Sequence, residues 1–268
     1  MKCNPPNRLY HYTDKKGLFG ILDEKKLHAT NYHYVDDPTE LRYATKRTSK
    51  RIKALGLNLK LDMLNPVSLD FIERTEFHIS IFSLSTEKDL LSQWRGYCGG
   101  GGYAIGFDYQ QLDSILRQRG KQHNRLHLRP CIYDKYEHSK VIDSYISDMD
   151  SKNMRNIPLN HFSVNIGLSL KDPSFREEHE WRIISDVISP IFNETNKKYG
   201  IEWKKKISGY RIVPYMEIDL DDGNGVLPIS EIVVGPFGNV KALTKLANDI
   251  LKRYEIKNCI IKQSHIPH

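Results

Sequence analysis

Three groups of residues in this sequence have the types and the order of a chemical site. His11 stands in Leu9-Tyr10-His11-Tyr12-Thr13, where an imidazole can donate, accept or carry a proton near neutral pH. Ser83 and Ser85 alternate in Phe82-Ser83-Leu84-Ser85-Thr86, and the chain then runs through Trp94, Arg95 and Tyr97 into the glycines Gly99 to Gly102. Glu178 and Glu180 flank His179 and lead into Trp181-Arg182. Alternate strand positions share a face, so strand geometry over this run predicts both carboxylates on one side. Such a pair can stabilise developing positive charge and take a proton from a nucleophile. Arg95 has the planar fork that suits anionic oxygens, while Trp94 and Tyr97 are either a stacking platform or core.

Other site chemistries are excluded by spacing. The glycine run lacks the Lys-Ser/Thr of a phosphate-binding loop, and no dinucleotide-fold glycine pattern is present. His179-Glu180 begins like a helical zinc motif, but Ile183 stands where the second histidine is needed. There is no G-x-S-x-G nucleophile elbow. No metal is expected.

These residues need elements to position them. The run Leu9 to Thr13 reads as a first strand, and Asp14 as the cap of a helix with Leu18, Phe19, Ile21 and Leu22 at helical spacing. Leu27 to Thr30 reads as a short strand, Asp36 to Glu40 as a turn into a helix reaching Leu55, and Phe77 to Ser85 as a strand. A short helix over Leu90 to Tyr97 ends at the glycines. Strand Tyr103 to Phe107 is followed by a helix from Tyr109 that Gly120 is expected to stop. Leu126 to Tyr133 is predicted as a strand and Lys140 to Asn156 as a helix, continuing over Asn160 to Lys171. Short strands are expected at Ile201 to Trp203, Tyr210 to Val213 and Tyr215 to Leu220. Strand Ile229 to Val234, a helix from Val240 to Tyr254 and a strand at Cys259 to Lys262 close the chain. Strands and helices mix without regular alternation, which predicts an α+β fold, a mixed and mainly antiparallel sheet with flanking helices, over a single domain 1–268.

The 268 residues are 39% hydrophobic and 27% charged, enough for a sizeable core. A net charge of +7 and a pI near 9.0 favour a phosphate-bearing partner, nucleotide or nucleic acid. The basic residues Arg42, Lys46, Arg47, Lys50, Arg51 and Lys53 gather on one predicted helix. Cys3, Cys98, Cys131 and Cys259 are widely spaced with no CxxC pair, which fits a reducing, cytoplasmic setting. No signal peptide and no apolar run of membrane-spanning length is seen, so no membrane partner is expected.

Two resemblances follow from these motifs. Tyr10-His11-Tyr12-Thr13, Asp37-Pro38-Thr39-Glu40, Ser92-Gln93-Trp94-Arg95-Gly96-Tyr97, Gly102 to Phe107, Glu180-Trp181-Arg182 and Val234-Gly235-Pro236 together resemble a widespread bacterial family of domains of unknown function, which implies no activity. The order of a first-strand His, a mid-chain Ser-x-Ser and a late Glu-x-Glu is similar to the ADP-ribosyltransferase superfamily. That resemblance implies an ADP-ribosyltransferase-like fold with NAD as substrate and a protein or nucleic-acid acceptor. His11, with Tyr12 and Thr13 beside it, would hold the nicotinamide-side ribose and pyrophosphate. Ser83 or Ser85 would order the nicotinamide pocket, Glu180 would stabilise the oxocarbenium-like charge, and Glu178 would orient or deprotonate the acceptor. The serine element here is Ser-Leu-Ser-Thr, a departure from Ser-Thr-Ser.

Other readings compete. His11-Tyr12-Thr13 and His78-Ile79-Ser80 are similar to the paired motif of two-histidine phosphoesterases, with His11 and His78 as acid and base. The basic helix face supports a non-enzymatic nucleic-acid-binding module. Each site residue also has a plainer role: His11 as a hydrogen-bonded strand residue, Glu180 as a structural ion pair with a nearby cation, the glycines as a hairpin.

Overall fold

The computed structural model describes residues 5–35, 40–57, 60–61, 79–122, 126–154, 156–157, 161–162, 165–185, 203–208 and 210–267. The chain opens with strand β1 (Arg8–Asp14) and helix α1 (Lys15–Glu24), then β2 (Lys26–Asn31), α2 (Glu40–Ala54) and the short β3 (Lys60–Leu61). The middle holds β4 (Ser80–Ser85), α3 (Leu91–Tyr97), β5 (Gly102–Asp108), α4 (Tyr109–Gln122), β6 (Leu126–Pro130), α5 (Lys135–Ser151) and β7 (Asn156–Ile157). It closes with β8 (Glu180–Ser185), β9 (Trp203–Ser208), β10 (Arg211–Asp219), β11 (Ile229–Val234), α6 (Val240–Arg253) and β12 (Ile260–Gln263). The fold is α+β, as the mixed pattern of elements implies.

Local signals account for many of these elements. Asp14 caps α1 by accepting from the Gly17 N–H, and Leu18, Ile21 and Leu22 are its buried face. In α6, Leu243, Ala247, Ile250 and Leu251 recur at helical spacing and are buried. Some expectations need correction. Helix α5 begins at Lys135, because the Asp134 carboxylate accepts from the N–H groups of Tyr136 and Glu137. Helix α4 runs past Gly120 to Gln122; Arg119 in that turn donates to the Asp221 carbonyl and pairs with Asp219, which holds the turn in place. The two short strands expected around Pro214 form one strand, β10. Pro214 lies just beyond the last β2 pair, Tyr215 with Thr30, so on that side it interrupts no ladder. The expected turn at Asp36 to Thr39 lies outside the described residues, as does His78.

Among the described residues ten strands form one sheet in the order β12-β11-β5-β1-β4-β2-β10-β9, with β8 paired to the other edge of β4 and β6 paired to β8. All of its pairings are antiparallel except β11 with β12. One sheet face packs Leu9, Phe82, Leu84, Ile105 and Phe107 against α1, α4 and α6. The other face is covered in two places. Helices α2 and α5 lie over Ile79, Ile81 and Ile184, and α3 places Trp94 against Tyr10, Tyr12 and Ala104.

The position of β4 creates the opening between them. β1 meets β4 at its C-terminal end, Tyr10 opposite Ser85, whereas β2 meets it at the N-terminal end, through Thr30 opposite Ile81 and Asn31 opposite Ser80. Between these pairs, Phe82 to Leu84 have no strand on that edge among the described residues. The sheet is split there, and α1, which links β1 to β2, packs across the split.

Candidate functional site

A cavity of about 900 Å³ occupies the split, within the ~300–1,000 Å³ usual for small-molecule sites. Its walls come from β1 (His11, Thr13), α1 (Lys16, Gly17, Gly20), β4 (Ser83), α3 (Gln93, Tyr97) and the segment around Glu178 and Glu180. On α1, Gly17 and Gly20 leave room. A Cβ at Gly17 would overlap Thr13 Oγ1, and one at Gly20 would meet nothing within 4 Å.

His11 is placed by the split itself. Its Nδ1 donates to the Ser83 carbonyl at 3.0 Å, and its ring packs on Phe82 with centroids 4.2 Å apart. A carbonyl only accepts, so Nδ1 carries the proton and Nε2 keeps its lone pair, with no partner among the described residues. Burial pushes the imidazole down to about 4, further helped by the nearby Lys206 charge and opposed by the Ser83 bond. His11 is therefore a neutral acceptor at neutral pH.

The carboxylates are built differently from the strand expectation. Glu178 ends a 3-10 segment, Pro173–Glu178, and His179 takes a left-handed conformation at φ 45° before β8 begins at Glu180. Strand alternation does not relate the two side chains. Lys171 does: its Nζ contacts Glu178 Oε2, Glu180 Oε2 at 2.7 Å and Glu40 Oε1 at 3.2 Å. Arg182 grips Glu180 with two bonds of 2.8 and 2.9 Å, and its Nη1 reaches Glu40 Oε2 at 2.7 Å and the Leu168 carbonyl at 2.9 Å.

The Lys171, Glu40, Glu180 and Arg182 side chains are each only 6–7% exposed, and all five charges line the cavity. Burial without partners would be prohibitive, so the pairing is what allows these charges inside. Three carboxylates against two cations leave one net negative charge when all are ionised. Burial alone would raise the Glu180 carboxyl, but Arg182 and Lys171 bring it down to about 2. Glu178 is raised, chiefly by burial, against the opposing pull of Lys171. Glu180 is thus a fixed anion with both oxygens engaged, and Glu178 is the carboxylate better suited to accept a proton.

The remaining expected residues divide. Ser83 lines the cavity. Ser85 is buried and instead ties two backbone segments, donating to the Glu178 carbonyl at 2.7 Å and accepting from Glu87 N–H. Tyr12 contributes to the wall while its hydroxyl donates to the Glu87 carbonyl and accepts from Leu90 N–H. Tyr97 lines the cavity and is 49% exposed. Trp94, four residues from Leu90 on the inner side of α3, is fully buried away from the cavity, its indole donating to Asp89 Oδ1 at 2.7 Å. Arg95 is exposed and not part of the cavity wall, because the turn of α3 that aims Gln93 and Tyr97 inward aims Arg95 out. The glycines serve close backbone approach: Gly101 has φ 131°, and a Cβ there would lie 2.9 Å from the Phe237 carbonyl.

Sequence reasoning missed Lys171 and Lys206, and it read Glu40 only as a helix-start acid. Glu40 stood in a motif of the family resemblance, which was the available signal; Lys171 and Lys206 belong to no periodic pattern. The basic face of α2 is partly used internally. Arg51 makes two bonds to Asp143, at 2.6 and 2.7 Å, and Arg47 donates to the Lys135 carbonyl; Lys46, Lys50 and Lys53 are exposed.

Among the described residues, Glu24, His28 and Glu217 have metal-ligand proximity. Both Glu217 oxygens are already held, by Lys26 at 2.6 Å and Lys204 at 2.7 Å, so two ammonium groups occupy the positions a cation would need. Cys98, Cys131 and Cys259 are free thiols. No helix among the described residues is long and apolar enough to cross a membrane.

Comparison with known proteins adds a family match over part of the chain and no activity. Neither the curated proteins nor the solved structures give a match. Residues 93–183, from α3 into β8 and including Glu178, Glu180 and Arg182, match the family described as "Protein of unknown function (DUF2971)".

Proposed function

We propose that the split-sheet cavity binds an NAD-like dinucleotide and transfers its ADP-ribose to a macromolecular acceptor, protein or nucleic acid. The observation that carries this reading is that His11, Ser83 and the Glu178/Glu180 pair come from neighbouring elements, β1, β4 and the entry to β8, and line one cavity. They are the three motifs, in order, of the ADP-ribosyltransferase resemblance.

The charge distribution suits the chemistry. The net negative cluster faces the cavity where a pyridinium, and then the oxocarbenium-like ribose, would lie; fixed charges of this kind contribute ~3–4 kcal/mol to such steps. As the C1′–N bond breaks, its electron pair leaves with the pyridinium nitrogen as neutral nicotinamide. The acceptor nucleophile forms its bond to C1′, and its proton passes to Glu178, whose raised pKa favours that role. Glu180, locked by Arg182 and Lys171, supplies the fixed charge and the position of Glu178's lysine.

The test is release of nicotinamide and transfer of label from adenine-labelled NAD to protein, DNA or RNA acceptors. Activity in the wild type that falls at least a hundredfold in Glu178→Gln, with an unchanged melting temperature, supports the reading. A folded wild type that neither binds nor cleaves NAD with any acceptor class overturns it.

A further inference from the structure

Lys206 has no place in the chemistry above, yet it projects from β9 into the same cavity. Its surroundings are unusual for a lysine. Lys204, two residues earlier on the same strand face, pairs with Glu217 at 2.7 Å, and Lys26 takes the other oxygen of that carboxylate. Lys206 stands opposite Val213, has no ion-pair partner among the described residues, and lies 5.4 Å from the Tyr215 ring centroid. Burial lowers its pKa, and no carboxylate among the described residues offsets that. Across the split stands His11, whose protonation the Lys206 charge disfavours.

We propose that Lys206 and His11 form the anion-recognition end of the cavity, taking the diphosphate of a nucleotide whose cationic end faces the Glu40–Glu178–Glu180 cluster. The nucleotide's identity rests on the transferase reading; the anion site does not. The Lys206 charge has no counter-charge among the described residues, and together with burial it disfavours protonation of His11. A diphosphate supplies the missing charge, pairing with Lys206 and favouring a proton on His11 Nε2, so that both donate to phosphate oxygens.

The cavity is then polar along its length. β8, which carries Glu180, and β9, which carries Lys206, are separated in the sheet by β4, β2 and β10. At the usual spacing between strands this is on the order of 15–20 Å along the sheet, a span suited to an extended dinucleotide rather than a single small anion. Lys206 is a binding residue under this proposal and takes no part in bond breaking.

Calorimetric titration of the full chain with inorganic pyrophosphate, ADP-ribose and nicotinamide riboside tests it, using Lys206→Met, Lys206→Arg and the exposed-neighbour control Lys205→Met. The expected result is a loss of at least tenfold in ADP-ribose and pyrophosphate affinity in Lys206→Met, recovery in Lys206→Arg, and no change in Lys205→Met. The His11 pKa, followed by NMR, should rise on saturation with ADP-ribose in the wild type. Equal ADP-ribose affinity in wild type and Lys206→Met overturns the proposal, as does a wild type that binds neither phosphate-bearing probe. Lys206-dependent pyrophosphate binding in a protein that never cleaves NAD upholds the anion site and removes the transferase reading.

Discussion

The imidazole of His11 donates to the Ser83 carbonyl at 3.0 Å across a gap between β1 and β2, where, among the described residues, no strand pairs with that edge of β4 over Phe82 to Leu84. A side chain thus takes the hydrogen bond that a neighbouring strand takes elsewhere in the sheet. That bond fixes the tautomer and leaves Nε2 facing the cavity.

The first prediction concerns this histidine. Its folded pKa of about 4 lies below the ordinary 6.5. The associated stability is therefore fully present above pH ~6.5 and is lost as pH falls through the folded value. In the free protein, the His11 ring resonances should titrate near pH 4. Titration near 6.5 would contradict the desolvated placement.

The buried ion cluster predicts a large and pH-dependent effect at Glu180. Its pKa is lowered from 4.5 to about 2, so its contribution, about 3 kcal/mol, is complete above the unfolded value and is lost as pH falls toward 2. Glu178 has the opposite sign: raised, it favours the folded state at low pH and loses that contribution as pH rises. Glu180→Gln leaves Lys171 and Arg182 short of a counter-charge and should cost about 3–5 kcal/mol at pH 7. Urea unfolding at pH 7, 4.5 and 3 should show this penalty shrinking with acidity. An equal penalty at all three pH values is the contrary result.

On α1 the two cavity-facing glycines should behave differently. Gly17→Ala forces the Thr13 hydroxyl aside and should destabilise by about 1–3 kcal/mol. Gly20→Ala meets open space and should stabilise the helix by roughly 0.5–1 kcal/mol. Gly20→Leu, projecting into the cavity, should leave the melting temperature near that of Gly20→Ala and weaken ADP-ribose binding at least tenfold. Unchanged binding in Gly20→Leu would place the ligand elsewhere.

Trp94 should matter for stability alone. It is fully buried, and its Asp89 partner also accepts from Ser264 Oγ and His265 N–H, tying the C-terminal segment to α3. Trp94→Ala should cost about 3–5 kcal/mol, while the milder Trp94→Phe should retain nucleotide affinity. A tenfold affinity loss in folded Trp94→Phe would give Trp94 a direct role in binding.

The sequence alone determined what is local. Asp14 announced a cap, Leu18, Ile21 and Leu22 a buried helix face, and Leu9 to Thr13 a strand, because capping and periodicity are properties of a few consecutive residues. The order of His11, Ser83 and Glu180 along the chain was equally legible. Only the tertiary structure decided that β4 is shared by β1, β2 and β8, since alternation names a strand's face but not its neighbour. From that sharing come the split, the cavity and the His11–Ser83 bond. It also decided the partners of charge: Lys171 is enclosed by carboxylates and Lys206 meets none among the described residues, although the two are indistinguishable as sequence. A lysine's chemistry is set by the charges and solvent around its amine, and those come from residues far along the chain.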